Sequence, residues 1–193
     1  EEAVGAGLRR VEAVTGRQAQ KLIAQRLDML DRIAARLNTP LEELEERVAS
    51  LLEEQRALQK EIEKLQRLQA RGQFEGLLEK VQQVDGVNLL AASVDVAGAD
   101  ELREMADWFR DKVDSGVAVF ATVHNEKPLM VATVTEDVIG RGVKAGDLIR
   151  EVAKIVGGGG GGRPNLAQAG GREPEKIPEA LDAVPDLVRQ ALN

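Results

Sequence analysis

Cysteine is absent from the 193 residues, and histidine occurs once, as His124. A disulfide framework, a thiol nucleophile and every Cys/His zinc site are therefore excluded. A Ser–His–Asp hydrolase would have only His124 as its base, which nearly excludes that chemistry too. Aromatic residues make up 2 % of the chain, too few for the base-stacking platforms of single-strand binders. No apolar run approaches the roughly 18 residues that span a membrane, so no membrane partner is expected. The start, Glu1-Glu2-Ala3-Val4, has neither the basic residues nor the apolar stretch of a signal peptide. With no cysteine and no targeting segment, the sequence is consistent with the cytoplasm.

What is present divides the chain into unlike parts. Hydrophobic residues at 43 % suffice for a core, while charge at 31 % implies much solvated helix surface. The length suits one small domain plus an extended appendage. Residues 17–71 carry two heptad-like patterns. Ile23, Leu27, Leu30, Ala34 and Leu37 form the first. Leu41, Leu44, Val48, Leu51, Leu58, Ile62 and Leu65 form the second, with Gln55 in the one polar seam position. Asn38-Thr39-Pro40 separates them, with Thr39 as the expected N-cap and Glu42 completing a capping box. The expectation is an antiparallel helical hairpin, closed at Arg71-Gly72. A coiled coil between two chains is the alternative use of the same seam.

Beyond Gly72 the pattern changes to that of an α/β globular domain, a mixed sheet with flanking helices, over residues 72–193. Residues 74–81 suggest a short helix, Asp85-Gly86 a turn, and 87–96 a strand. Asp100 is the expected cap of a helix burying Leu102, Met105, Ala106, Phe109 and Val113. Residues 117–123 and 129–134 read as strands joined by a loop. A helix over 143–156 follows, then six glycines, then a closing helix over 178–192.

The most unusual stretch is Gly157–Gly171, GGGGGGRPNLAQAGG. Gly157, Gly158, Gly159, Gly160, Gly161 and Gly162 bare their backbone amides and can adopt the positive φ of an anion-binding nest. Arg163 adds a forked phosphate donor, and residues 164–168 could begin a short helix with its N-terminus toward an anion. A flexible linker and close backbone packing are the bland alternatives. No Lys-Ser/Thr pair follows the glycines, so the segment is not a nucleotide-hydrolysing loop. Residues 141–163 are net +3, from Arg141, Lys144, Arg150, Lys154 and Arg163 against Asp147 and Glu151, inside a chain of net −7. A nucleic-acid binder needs such a patch rather than a basic total, although helix charge runs are usually solvated faces. His124 reads as a loop polar residue, Trp108 as part of the core, and Glu136-Asp137 as too sparse for a cation site.

At these glycines the chain resembles the C-terminal domain of alanyl-tRNA synthetases, a DHH-associated domain shared with certain phosphoesterases. The match runs through Gly157–Gly162, Arg163, Pro164, Ala167, Gln168, Gly170 and Gly171. DELREMADWFRDKV, GVAVFATV and VKAGDLIREVAKIVGG resemble the same family in the same order. The segment Gly5–Gly16 is similar to the end of the editing domain. The resemblance implies an editing-domain remnant at 1–16, a helical arm at 17–71 and a globular C-terminal domain at 72–193. It implies a non-catalytic module that binds tRNA, alanine tRNA in particular, at the elbow. The family's ATP and zinc sites lie upstream, so no cofactor is implied here. Candidate RNA contacts are the six glycines, Arg163, Gln168, Arg141, Lys144 and Lys154. The alternatives are a dimerisation module, giving a homodimer, and a substrate-holding domain of a DHH-type phosphoesterase. The last would need Asp-His-His metal motifs that this chain lacks.

Overall fold

The computed structural model describes residues 2–5, 8–10 and 13–192, which form two compact units, 1–60 and 61–193. In the first unit, strands β1 (Glu2–Gly5) and β2 (Leu8–Arg10) pair antiparallel. The remainder of the expected 1–16 remnant lies in part outside the described residues. Helix α1 (Gly16–Arg36) ends where Asn38 turns left-handed at φ 50, and the Thr39 N–H donates to the Ala34 carbonyl at 3.1 Å. Thr39 thereby closes the first helix instead of capping the next. Pro40 stands at the N-cap of a short 3-10 turn, Leu41–Glu43, with no side-chain cap, so the capping box with Glu42 is not formed. Helix α2 (Leu44–Leu77) follows.

Both helices exist as the heptads require, but their seams do not cover each other. Ala34 is buried and Leu37 and Leu44 are half-buried near the break, while Ile23, Leu27, Val48 and Leu58 stay exposed. The expected hairpin packing is not seen, and the apolar faces of the two helices stay largely open.

In the second unit α2 runs straight through Gly72, where the arm was expected to close. A mid-helix glycine costs about 1 kcal/mol. Burial of Ala70, Phe74 and Leu77 offsets it. The Phe74 ring lies 5.8 Å from Trp108 and 6.3 Å from Phe120 between centroids. The separate helix expected over 74–81 is the end of α2 plus a 3-10 turn. Then come β3 (Gln82–Val84), β4 (Val87–Ser93), α3 (Ala99–Lys112), β5 (Gly116–His124) and β6 (Lys127–Val134). A short α4 (Glu136–Gly140) precedes α5 (Ala145–Ile155), and β7 (Gly159–Gly162), β8 (Leu166–Gly170), α6 (Ile177–Asp182) and α7 (Val184–Leu192) complete the unit. Gly98, not Asp100, is the N-cap of α3; Asp100 pairs instead with Arg103 at 2.6 Å.

The strands form one mixed sheet in the order β3-β4-β5-β6-β8-β7, parallel between β4 and β5 and antiparallel elsewhere. Two tight turns set its hairpins, Asp85-Gly86 (φ 49 and 77) and Asn125-Glu126 (φ 49 and 60). Paired positive φ is the turn whose twist matches the flanking strands. β5 is buried on both faces. Val117, Val119 and Ala121 join a core under α5, α6 and α7, while Ala118 and Phe120 join one under α3 and the end of α2. No helix among the described residues is long and apolar enough to cross a membrane.

Where β5 begins and β6 ends, Thr135 ties the two together. Its Oγ1 accepts the Gly116 N–H at 2.9 Å, and its own N–H donates to the Gly116 carbonyl at 3.0 Å. The hydroxyl donates to Asp137, whose carboxyl is held below the usual range by hydrogen bonds from the Ser115 and Thr135 side chains. Thr135→Val should strand the Gly116 N–H and destabilise the domain by about 1–3 kcal/mol, measured by urea unfolding. Because folding lowers the Asp137 pKa, its contribution is present above the ordinary carboxylate range and is lost as pH falls through the folded value. Asp137→Asn should therefore be less stable than the parent chain at neutral pH and match it in acid.

Candidate functional site

The glycine segment folds as an edge strand, not as the wrapping nest the sequence suggested. Only Gly157 is left-handed, at φ 64, and it ends α5. The Gly157 and Gly158 N–H groups donate to Lys154 and Ala153 carbonyls at 3.1 and 2.8 Å, closing the helix. Gly159–Gly162 then pair with β8, Gly159 opposite Gly170 and Gly161 opposite Gln168. The short helix expected from Pro164 is likewise absent. After Arg163-Pro164-Asn165 the chain reverses into β8, because alternation in Leu166-Ala167-Gln168-Ala169 puts its alanines on the core.

The glycines divide by parity. A Cβ on Gly162 would lie 2.6 Å from the Ala167 Cα, and on Gly160 it would enter Ala169. On Gly158 it would strike the Gly170 carbonyl. Gly159 and Gly161 face nothing within 4 Å, and neither is left-handed. Internal packing accounts for the first set and leaves the second unexplained.

The open side is the α3 side of the sheet. One depression there, of about 540 Å³, is lined by Arg103 and Arg110 of α3 and by Gly161, Arg163, Asn165 and Gln168. Arg103 donates through Nη2 to the Gln168 Oε1 and through Nη1 to Asp100 at 2.6 Å. Arg110 pairs with Asp107 through Nη2, while its buried Nε has no acceptor. Further along lies a second depression of about 770 Å³, lined by His124, Lys127, Gly158, Gly159, Gly170 and Arg172 among others. Among the described residues no carboxylate lines either one.

Arg141, Lys144 and Lys154 are not brought to this surface. α5 covers the opposite face of the sheet through Ala145, Ile149, Val152 and Ala153. There Lys154 pairs with Glu151 at 2.7 Å, Arg150 with Asp147 at 3.0 Å, and Arg141 donates to the Asp85 carbonyl at 2.8 Å. Lys144 is exposed at the N-cap of α5. Along the α2 seam, Leu44 and Leu51 are half-buried, and Val48, Gln55, Leu58, Ile62 and Leu65 are exposed. The residues that sequence reasoning missed are Arg103, Arg110, Lys127 and Arg172. Arg103 and Arg110 stand seven apart, two helical turns along one face, which was a legible signal for the pair.

A mixed sheet carrying helices on both faces and a glycine strand at its edge is the architecture of a known class of domain. The DHHA1 domain model matches residues 86–190, and the chain belongs to that family. Alanine–tRNA ligases of Dehalococcoides mccartyi and of a Roseiflexus species are each 45 % identical to it over 188 residues, or 97 % of this chain. The chain spans about a fifth of the length of these curated relatives, 22 % and 21 %. The crystal structure of the C-Ala domain from Aquifex aeolicus alanyl-tRNA synthetase superposes with a TM-score of 0.53 at 33 % identity, covering 56 % of this chain and 97 % of that one. Within the DHHA1 family, the chain is thus of the kind that forms the C-terminal domain of alanyl-tRNA synthetases.

The parity is testable by thermal denaturation. Gly160→Ala and Gly162→Ala should each cost about 1–3 kcal/mol through overpacking. Gly159→Ala and Gly161→Ala should leave the midpoint unchanged or raise it slightly, since alanine lowers the entropy of the unfolded chain.

Proposed function

We propose that this chain is the tRNA-binding, non-catalytic C-terminal module of an alanine–tRNA ligase. On this reading it holds the tRNA elbow while aminoacylation and editing proceed on other domains, which carry the ATP and zinc sites. Its site of action is then the cytoplasm, and its partner is alanine tRNA. The observation that supports it most is the open, side-chain-free face of β7, whose flanking depressions are lined by cations and, among the described residues, by no carboxylate. The Arg163 backbone N–H donates to the Leu166 carbonyl at 2.9 Å, while its guanidinium makes no hydrogen bond or ion pair among the described residues and stands just past the end of that strand. Elbow recognition reads shape and phosphate more than base edges, which suits a backbone surface rimmed by guanidinium and ammonium groups.

A chain of net −7 that binds RNA through a local patch should bind modestly and lose affinity steeply with salt. Titration with alanine tRNA by fluorescence anisotropy should show that dependence. Arg163→Ala should weaken binding roughly tenfold at low salt. A second elongator tRNA should bind nearly as well. An affinity unchanged between low and high salt would contradict a phosphate-led contact.

A second reading is favoured by one observation, the exposed apolar residues Val48, Leu58, Ile62 and Leu65 on α2. The seam would then join two synthetase subunits in a homodimer. Sedimentation velocity at tens of micromolar decides it, since a monomer there counts against dimerisation and leaves the tRNA reading in place.

A further inference from the structure

We infer that the arginine-walled groove between α3 and the β7–β8 turn seats a phosphodiester of the bound RNA, with Arg103 and Arg110 as its donors and with the α5 cations taking no part. This rests on the tRNA reading above and assigns its phosphate contact to one face of the sheet.

The charge pattern separates the two faces. On α5, Arg150 and Lys154 are matched by Asp147 and Glu151 one turn earlier, and both carboxylates line the depression beside them. A phosphate approaching there meets mixed charge. In the α3 groove, Arg103, Arg110 and Arg163 line the wall and no carboxylate does. The Asp100 partner of Arg103 points to solvent, its side chain 90 % exposed. Arg110 likewise has an exposed partner, Asp107, on its own helix, and neither acid lines the groove, so a phosphate entering it faces guanidinium groups and no carboxylate.

Hydrogen bonding points the same way. Gln168 on β8 accepts from Arg103 across 65 residues of sequence, fixing that guanidinium over the sheet before any ligand arrives. Such preorganisation lowers the cost of binding. Arg110 holds a buried Nε with no acceptor, and an unmet buried donor is a standing penalty that an entering anion removes when the side chain turns toward it. Gly161 forms the floor. With no side chain there and open space above it, a sugar–phosphate strand can reach the backbone.

The test is a tRNA titration of the whole chain at several salt concentrations, alongside Arg103→Gln, Arg110→Gln and the α5 double variant Arg150→Gln/Lys154→Gln. Each α3 substitution should weaken binding about five- to tenfold and reduce the salt slope by about one. The α5 variant should change it less than about twofold. Arg110 is half-buried, so two readouts independent of its removal accompany the titration. One is Gly161→Ala, which the fold accommodates and which should still weaken tRNA binding. The other is hydrogen exchange on the unaltered chain, where tRNA should protect residues 103–110 and 159–168. Unchanged affinity in both arginine variants, or protection confined to 141–154, overturns the inference and leaves the RNA reading standing. Failure of the unaltered chain to bind tRNA at low salt removes that reading and the inference with it.

Discussion

Everything in the second unit depends on a strand that water cannot reach from either side. Residues 117–121 of β5 are all fully buried and contribute alternately to two separate cores. At roughly 1.5–3 kcal/mol for each large apolar side chain removed from water, these faces dominate the balance. A strand of this kind must have neighbours on both edges and helices on both faces. β4 supplies the parallel edge, and the crossover that returns from it is α3, which therefore roofs one core. α5, α6 and α7 roof the other. Once β5 is placed, which surface any later residue can serve is decided.

The glycine edge follows from that arrangement. β7 lies furthest from β5 and has no apolar side chain with which to hold its place. It is secured by its ladder to β8 and by the approach of α5, where Gly146 would put a Cβ only 3.1 Å from the Gly162 carbonyl oxygen. The glycines on the α5 side are thus structural. Those on the α3 side meet nothing in the fold, and that is where the arginines of α3 converge. One strand carries two roles on its two faces, separated by the two-residue period of the pleat.

Much of this was legible in the residues. The apolar runs at 117–123 and 129–134 read as strands, and the steps of three and four in 17–71 read as helices. Asp85-Gly86 announced its turn. Other features were hidden for physical reasons. Four glycines carry no β-propensity, so β7 is a strand only because β8 pairs with it. Thr39 had two compatible uses, and the end of the first helix claimed its backbone. Gly72 looked like a terminus, but burial of Phe74 and Leu77 outweighs the local cost of a glycine. The heptads showed that an apolar stripe exists without saying whether this chain covers it. Arg103 and Arg110 each have an acid three residues before them, Asp100 and Asp107, the pattern of an ordinary solvated helix face. Only the sheet brings Gln168 to one of them, across a separation that no local pattern encodes.

A strand built of glycine also has a thermal character of its own. Each glycine gives up about 0.5–1 kcal/mol more backbone freedom than alanine on becoming ordered. Over the four residues of β7 this sums to about 2–4 kcal/mol, with no buried side chain in return. The edge therefore opens at a free energy well below that of the whole domain, as a small cooperative unit of its own. Whatever seats on it must first hold it closed, so part of the intrinsic affinity goes into ordering the protein. That part grows with temperature because it is entropic. The grip of this surface should consequently fade on warming faster than its charge contacts alone would dictate, while the core around β5 stays intact.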